Sequence, residues 1–368
     1  MERWDAIVVG AGVAGLSAAR ALARAGARVL VVERRRVGAE ASSAAAGMLA
    51  AQGEAEQPSA LLGLALRARD RHQGLAAELR EETGIDVERA RLGSLHLAFD
   101  EAGEARLLRR AEWQRQAGLE LEVLGGAEVR EAEPNLAPVV RRALYVPGDR
   151  WLDNVRLTRA LAASAVARGA SLLTGRPATG LVVDGGRVAG VRAGTDVLAA
   201  PLVVNAAGAW AGLLAGDPEP PPVEPVRGLI AAFEVAPPLC RHVVHSPRGY
   251  LVPRGDGRLL AGSTLERAGY DKSVTAGALR TVLEAALEIT PALADVRVSD
   301  TWVGLRPGTP DGWPVLGAGG LPGLFHVAGL YRDGILLGPL VGEAVAALAR
   351  GEEPGVDLSA FSLARFRR

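Results

Sequence analysis

The 368-residue sequence predicts an α/β fold, α+β overall, in which a Rossmann-like nucleotide-binding domain is joined to a domain built on an antiparallel sheet. Three observations carry that prediction. The amino-terminal end reads strand, glycine turn, helix, strand. Residues 226–264 read as extended segments separated by tight turns. The chain is also longer than one core usually supports.

The first unit begins with the β-branched run at residues 6–9, followed directly by Gly10-Ala11-Gly12-Val13-Ala14-Gly15. In the next segment Leu16, Ala19, Leu22 and Ala23 fall on one helical face, and Gly26 is placed to end the helix. Residues 29–32 form a second apolar run that ends in Glu33, eighteen positions after Gly15. The spacing completes a dinucleotide fingerprint. Gly10 makes the tight turn, Gly12 admits a pyrophosphate to the backbone, and Gly15 lets the helix pack on the strand. The helix start offers unpaired N–H groups to phosphate, and Glu33 accepts hydrogen bonds from a ribose diol. Glu33 also argues against reading Arg34-Arg35-Arg36 as a 2′-phosphate site.

The motif alone does not choose between NAD and FAD. The small-residue run at 41–52, with Ser42 and Ser43 as hydroxyl donors, would let backbone lie against a flat ring. An alanine-rich helix is the alternative reading of the same run. Helical patterns follow at 61–83 and 101–118, closed by Gly84 and Gly118, with a strand between them at 93–99. A helix at 157–168, a strand at 171–173, an Asp184-Gly185-Gly186 hairpin and a buried strand at 202–204 come next. That strand runs into Asn205-Ala206-Ala207-Gly208-Ala209-Trp210, the small-residue end that a ligand in an α/β crevice requires, with a plain tight turn as the alternative reading. A proline-rich run at 217–225 marks an exit, and 273–289 is helical.

Toward the carboxyl end, Arg306 sits between a strand-like run and a Pro/Gly-rich turn, where its planar fork suits a carboxylate, with a surface arginine at a turn as the alternative reading. A strand at 324–328 then leads through Gly329-Leu330-Tyr331-Arg332-Asp333-Gly334 into a helix reaching Ala349.

Composition narrows the partners. Hydrophobic residues make up 49% and charged residues 23%, with formal net charge +0, so no global field draws nucleic acid or an anionic membrane. Cys240 is the lone cysteine, which excludes an intrachain disulfide and cysteine-rich metal sites. Acidic Glu2 and Asp5 precede the first strand and no long charge-free apolar stretch follows, so a cytoplasmic location is expected. His242 and His245 stand three apart without a third ligand nearby, so no metal is expected. Lys272, the one lysine, reads as a solvated turn residue.

The motifs GAGVAG with Glu33, ASSAAAGML, VVNAAGAW, PVRG, GYLVPRGDGRLLAGST, WVGLRPGTPDG and VAGLYRDGILLGP follow one another in the order of the D-amino-acid oxidase family. The resemblance is strongest to its bacterial glycine oxidase branch, which serves thiamine biosynthesis, and it runs from the amino terminus to about Ala349. It implies non-covalent FAD, a nucleotide domain of glutathione-reductase type interleaved with the antiparallel domain, and a dimer or tetramer. On that likeness, residues 1–80, 145–218 and 300–368 form the FAD domain, and 81–144 and 219–299 the substrate domain. Arg306 becomes the carboxylate-binding arginine, Tyr250 its hydroxyl partner and Arg332 a second active-site arginine. Gly47, Met48 and Leu49, together with Gly334, Ile335 and Leu336, match flavin-lining segments. The chain departs from the pattern at Leu229, Leu330, Asp333 and Arg248, and Cys240 lies outside the flavin-lining segments.

The implied activity is oxidative deamination of glycine or a similar small amine, with hydride leaving the α-carbon and oxygen as acceptor. A neutral amine can form the imine without a base on carbon, so no general base is assigned. A D-amino-acid dehydrogenase passing electrons to a quinone or carrier is the alternative.

Overall fold

The computed structural model describes residues 3–90 and 92–367; Glu2 lies outside them. One sheet has six strands in the order Val315–Ala318, Leu324–Ala328, Val203–Asn205, Ala6–Val9, Val29–Glu33, Ser171–Thr174. All neighbours are parallel except the first pair. Strand Ala6–Val9 and residues 29–32 of its neighbour are continuous apolar runs because both faces are covered. Ala6 and Val8 join a core with Leu16, Leu157 and Val341, from helices Val13–Arg24, Asn154–Ala167 and Gly334–Ala349. Ile7 and Val9 point the other way, into a core with Leu181, Val188 and Val191 of a three-stranded antiparallel sheet. The parallel strands therefore end together at Val9, Glu33, Asn205 and Ala328, where a crevice opens.

A second sheet has eight strands: Val298–Gly308, Glu224–Glu234, Arg258–Gly262, Tyr250–Pro253, Val243–His245, Ser94–Ala98, Arg142–Val146, Glu122–Gly125. It is antiparallel throughout except where Val243–His245 runs parallel to Ser94–Ala98. Period two divides its faces. Leu229, Ala231 and Phe233 pack with Val282, Ala286 and Ile289 of helix Ala276–Ile289. Ile230 and Ala232 face the other way, with Ala46, Trp151 and Trp302, toward the crevice.

Most elements match the expected ones, with informative differences. Helix Ala60–Thr83 is capped by the Ser59 side chain and ended by Gly84 in the left-handed conformation. The helix expected from residue 273 starts at Ala276, because Thr275 caps it while Ser273 bonds Asp271. The run at 41–52 is helical only over Ala41–Ala44. Carbonyls that a longer helix would use are taken instead: Asn154 Nδ2 donates to Ser42 O and Ser43 O, and Arg254 Nη1 to Ala46 O. Residues 145 and 300, expected as domain boundaries, fall within strands Arg142–Val146 and Val298–Gly308 of the eight-stranded sheet. Among the described residues no helix is long and apolar enough to cross a membrane.

Candidate active site

The crevice holds two cavities that share Gly12, Ala41, Ser42, Ala206 and Gly208 in their walls. The first, about 350 Å³, lies over the glycine turn. Gly10 (φ +104°), Gly12, Glu33 and Arg34 line it, as do Ala207 and Trp210. Glu33 is buried and accepts from Ala11 N–H and Arg35 N–H, both at 2.9 Å. Each carboxylate oxygen keeps further acceptor capacity. Val13 N–H, expected to be free at the helix start, donates to Ser42 Oγ at 3.0 Å, so the serine hydroxyl already serves part of that terminus. The Arg34 guanidinium lies 3.4 Å from the centre of the Trp210 ring, and its Nη2 reaches Glu40 at 2.6 Å. Burial would raise the Glu40 carboxyl, but Lys272 and Arg34 outweigh it and hold the group below its ordinary range.

The second cavity, about 320 Å³, is bounded by the run Ala44–Met48, the crevice face of the eight-stranded sheet and the start of helix Gly334–Ala349. Val13, Ala14, Tyr250, Arg306, Arg332, Gly334 and Ile335 all line it. Trp302, Gly304 and Arg306 share one strand face by period two, and that face looks into the crevice. Arg306 donates from Nη1 to Thr264 O (3.2 Å) and from Nη2 to Ser263 Oγ (2.5 Å). It has no acidic partner among the described residues, whereas Arg20, Arg227 and Arg332 do. The guanidinium lies across Gly228, where a Cβ would come within 2.0 Å of Nη1. The Tyr250 ring lies across Gly262 in the same way, with Oη 2.5 Å from where a Cβ would be. Gly262, Ser263 and Thr264 thus form one backbone ledge under both side chains.

Arg332 pairs with Glu54 at 3.2 Å, and that carboxylate raises the guanidinium's pKa further. Asp333, beside it, faces the cavity and makes no capping bond to its own helix. Burial pushes its carboxyl up to about 7, helped by Glu54 and opposed by Arg332. A carboxyl raised from its unfolded value contributes stability below about pH 4 that is lost as pH rises through about 7. Thermal melts between pH 5 and pH 8 are expected to show a smaller fall for Asp333→Asn than for the wild type. Equal slopes in the two proteins would contradict this. The helix start behind Asp333 directs its partial positive charge at the cavity. His72 anchors that turn: its Nε2 lies 3.0 Å from both Ile335 O and Leu336 O, so this nitrogen must carry the proton.

Not every expected site residue reaches a cavity. Gly15 does not line one; a Cβ there would stand 2.1 Å from Gly10 O, so its role is to let helix and turn close together. Ser43 packs near Gly38, and Leu49 and Leu336 are buried in the core behind the wall. Among the departures, Leu229 packs into the hydrophobic face away from the cavity, while Leu330, Asp333 and Arg248 line it. Arg248 pairs with Glu284 at 3.0 Å. Cys240 is buried in the antiparallel core, where burial pushes its thiol up, and it lines neither cavity. His242 bonds Glu133 at 2.7 Å, and His245 stacks on His96 at 4.3 Å, so the two imidazoles serve different neighbours.

No single motif marks Glu54, Gly228, His72 or Arg254. Gly228 stands in PVRG and Arg254 in GYLVPRGDG, but distant segments set what they touch: sheet register brings Arg306 over Gly228, and Arg254 bonds Ala46 O at 3.1 Å. Lys272, read as solvated, bonds Glu40 at 2.9 Å.

The arrangement fits an elongated dinucleotide. A ribose acceptor stands at one end, small residues let a backbone approach along the middle, and a helix terminus with arginines lies at the other. It can hold a small carboxylate by a fork of N–H donors and shield it from bulk water.

Comparisons with known proteins point to one family. A family model described as FAD dependent oxidoreductase, DAO, matches residues 5–348. A glycine oxidase of Geobacillus kaustophilus is 38% identical over 99% of this chain and 97% of its own length. A glycine oxidase of Pseudomonas aeruginosa is 37% identical over 95% of this chain and 96% of its own. The crystal structure of glycine oxidase from Geobacillus kaustophilus superposes with a TM-score of 0.95 at 37% identity, covering all of both chains.

Proposed function

The chain belongs to the DAO family of FAD-dependent oxidoreductases, and from that premise we propose that it is an oxidase of glycine and similarly small amino acids. The observation that carries the proposal is Arg306, a guanidinium presented to the cavity without an acidic partner among the described residues. Two relatives of matching length named glycine oxidase support the substrate. They favour it over the dehydrogenase reading, in which a quinone or carrier takes the electrons.

Bound FAD would supply the two-electron acceptor and the route to oxygen, which leaves as hydrogen peroxide, while water hydrolyses the released imine to an oxo acid and ammonia. In this reading the substrate carboxylate pairs with the Arg306 fork and accepts from Tyr250 Oη. Fixing that end sets the direction of the α-carbon hydrogen, an effect that can lower a barrier by several kcal/mol. Arg332, tied to Glu54, closes the cavity at the far side. The start of helix Gly334–Ala349 favours negative charge developing near it. Gly10, Gly12, Glu33, Arg34, Ser42, Ala206, Ala207, Gly208 and Trp210 hold the nucleotide half, and Val13, Ala14, Gly47, Met48 and Ile335 the ring half. Ser43, Leu49 and Leu336 support that wall from behind.

We further place the protein in the cytoplasm, as a homo-oligomer that feeds the thiazole branch of thiamine biosynthesis. The FAD domain of this reading comprises 1–80, 145–218 and 300–368, with the shared strands at 145 and 300 as its seams.

Purified protein should be yellow, bleach with glycine under anaerobic conditions and form peroxide in air. A flavin spectrum unmoved by glycine, sarcosine and D-alanine would end the proposal. Removing the buried acceptor in Glu33→Ala should weaken FAD binding by roughly tenfold or more, since two backbone donors also lose their partner. Fluorescence titration of the apoprotein measures this, and unchanged affinity would contradict the role of Glu33.

A further inference from the structure

Residues 265–273 leave the eight-stranded sheet after strand Arg258–Gly262 and return to it at helix Ala276–Ile289. Between those points the segment crosses to the nucleotide-side cavity. Its base is fixed by Arg227, a buried side chain that bonds Asp271 at 2.7 Å and whose backbone pairs with Glu266 in both directions. Its tip makes three contacts. The Tyr270 ring stacks on Trp210 at 5.2 Å and 28°, and its hydroxyl donates to Ala209 O at 3.0 Å. Lys272 Nζ reaches Glu40 Oε2 at 2.9 Å, while the other oxygen of Glu40 holds Arg34.

The residues the strap touches, Ala209, Trp210 and Glu40, all line the nucleotide-side cavity, as does Arg34, which joins Trp210 to Glu40. Neither Tyr270 nor Lys272 lines it. We propose that residues 265–273 are a strap that retains FAD, with Tyr270 and Lys272 as positioning residues acting through Trp210, Arg34 and Glu40. The inference rests on the reading that the nucleotide half of FAD lies in this cavity. Escape of a nucleotide requires its wall to move, and the strap links that wall to the antiparallel sheet. Trp210 is held by a ring and a guanidinium at once, and Glu40 by Lys272 and Arg34 with Arg35 as a third, more distant cation. Arg35 stands 3.6 Å from Glu40 and can replace part of the lysine's charge, so Tyr270 is the stronger holder of the two.

The test is the rate of FAD release from holoenzyme, followed by the return of flavin fluorescence on dilution. Tyr270→Ala should release FAD about fivefold to tenfold faster, and Lys272→Met about threefold faster. Tyr270→Phe, which keeps the ring and loses one hydrogen bond, should fall between Tyr270→Ala and the wild type. Release from the wild type should quicken with added salt, and Lys272→Met should lose most of that response. The KM for glycine at saturating FAD should stay unchanged. If both Tyr270→Ala and Lys272→Met release FAD at the wild-type rate while Glu33→Ala releases it quickly, the strap is wrong and the cavity assignment stands. If Glu33→Ala also releases at the wild-type rate, the cavity assignment itself fails.

Discussion

Arg306→Ala should raise the KM for glycine by about two to three orders of magnitude, the scale expected when a desolvated charge pair loses one partner. The guanidinium is aimed by two acceptors that do not neutralise it, Thr264 O and Ser263 Oγ. Its positive charge is therefore available to a ligand, unlike that of Arg332, which Glu54 already balances. Lysine at the same position keeps the charge but cannot present two parallel N–H donors, so Arg306→Lys should recover only part of the loss. Folding should be little affected, because the two freed acceptors border a cavity that water can enter. Anaerobic titration of the flavin spectrum with glycine separates binding from turnover. A Kd for glycine equal to that of the wild type would remove the carboxylate from Arg306 and leave the proposed orientation without support.

The parts of this molecule legible in its sequence are those whose determinants lie close together along the chain. The turn from Val9 to Gly15 and its acidic partner Glu33 lie within one strand-helix-strand unit, and hydrophobic period and glycine placement suffice to define them. Period two sets Trp302, Gly304 and Arg306 on one face of their strand, but only packing in the folded chain turns that face to the crevice. Contacts between distant segments leave no such trace. His72 meets the helix start 263 positions later, and Lys272 meets Glu40 across 232 positions. The run at 41–52 shows the same limit. Its composition suits helix or extended chain equally, and buried donors from Asn154 and Arg254 decide the matter.

Gly228→Ala should lower kcat/KM for glycine by about 10- to 100-fold while leaving the fold intact, since a displacement near 1 Å at a positioning group has that scale. The added Cβ would stand 2.0 Å from Arg306 Nη1, 2.4 Å from Nη2 and 2.5 Å from Cζ, so the guanidinium has to swing away. Gly228 lies within strand Glu224–Glu234, directly opposite Gly304, and the paired absence of side chains is what lets Arg306 lie flat across the sheet. Its backbone is not in the left-handed region, so alanine brings no backbone strain there and can add a few tenths of a kcal/mol by restricting the unfolded chain. The cost falls on the bonds to Thr264 O and Ser263 Oγ, and through them on the substrate. Gly304→Ala provides the contrast, because its Cβ would press on Ala44 at 2.8 Å and disturb the wall of small residues instead of the arginine. The two variants should therefore separate: Gly228→Ala weakens glycine binding with FAD affinity unchanged, and Gly304→Ala perturbs the flavin spectrum first. A Gly228→Ala protein that binds glycine as tightly as the wild type would mean that the guanidinium does not rest across this glycine when substrate is held.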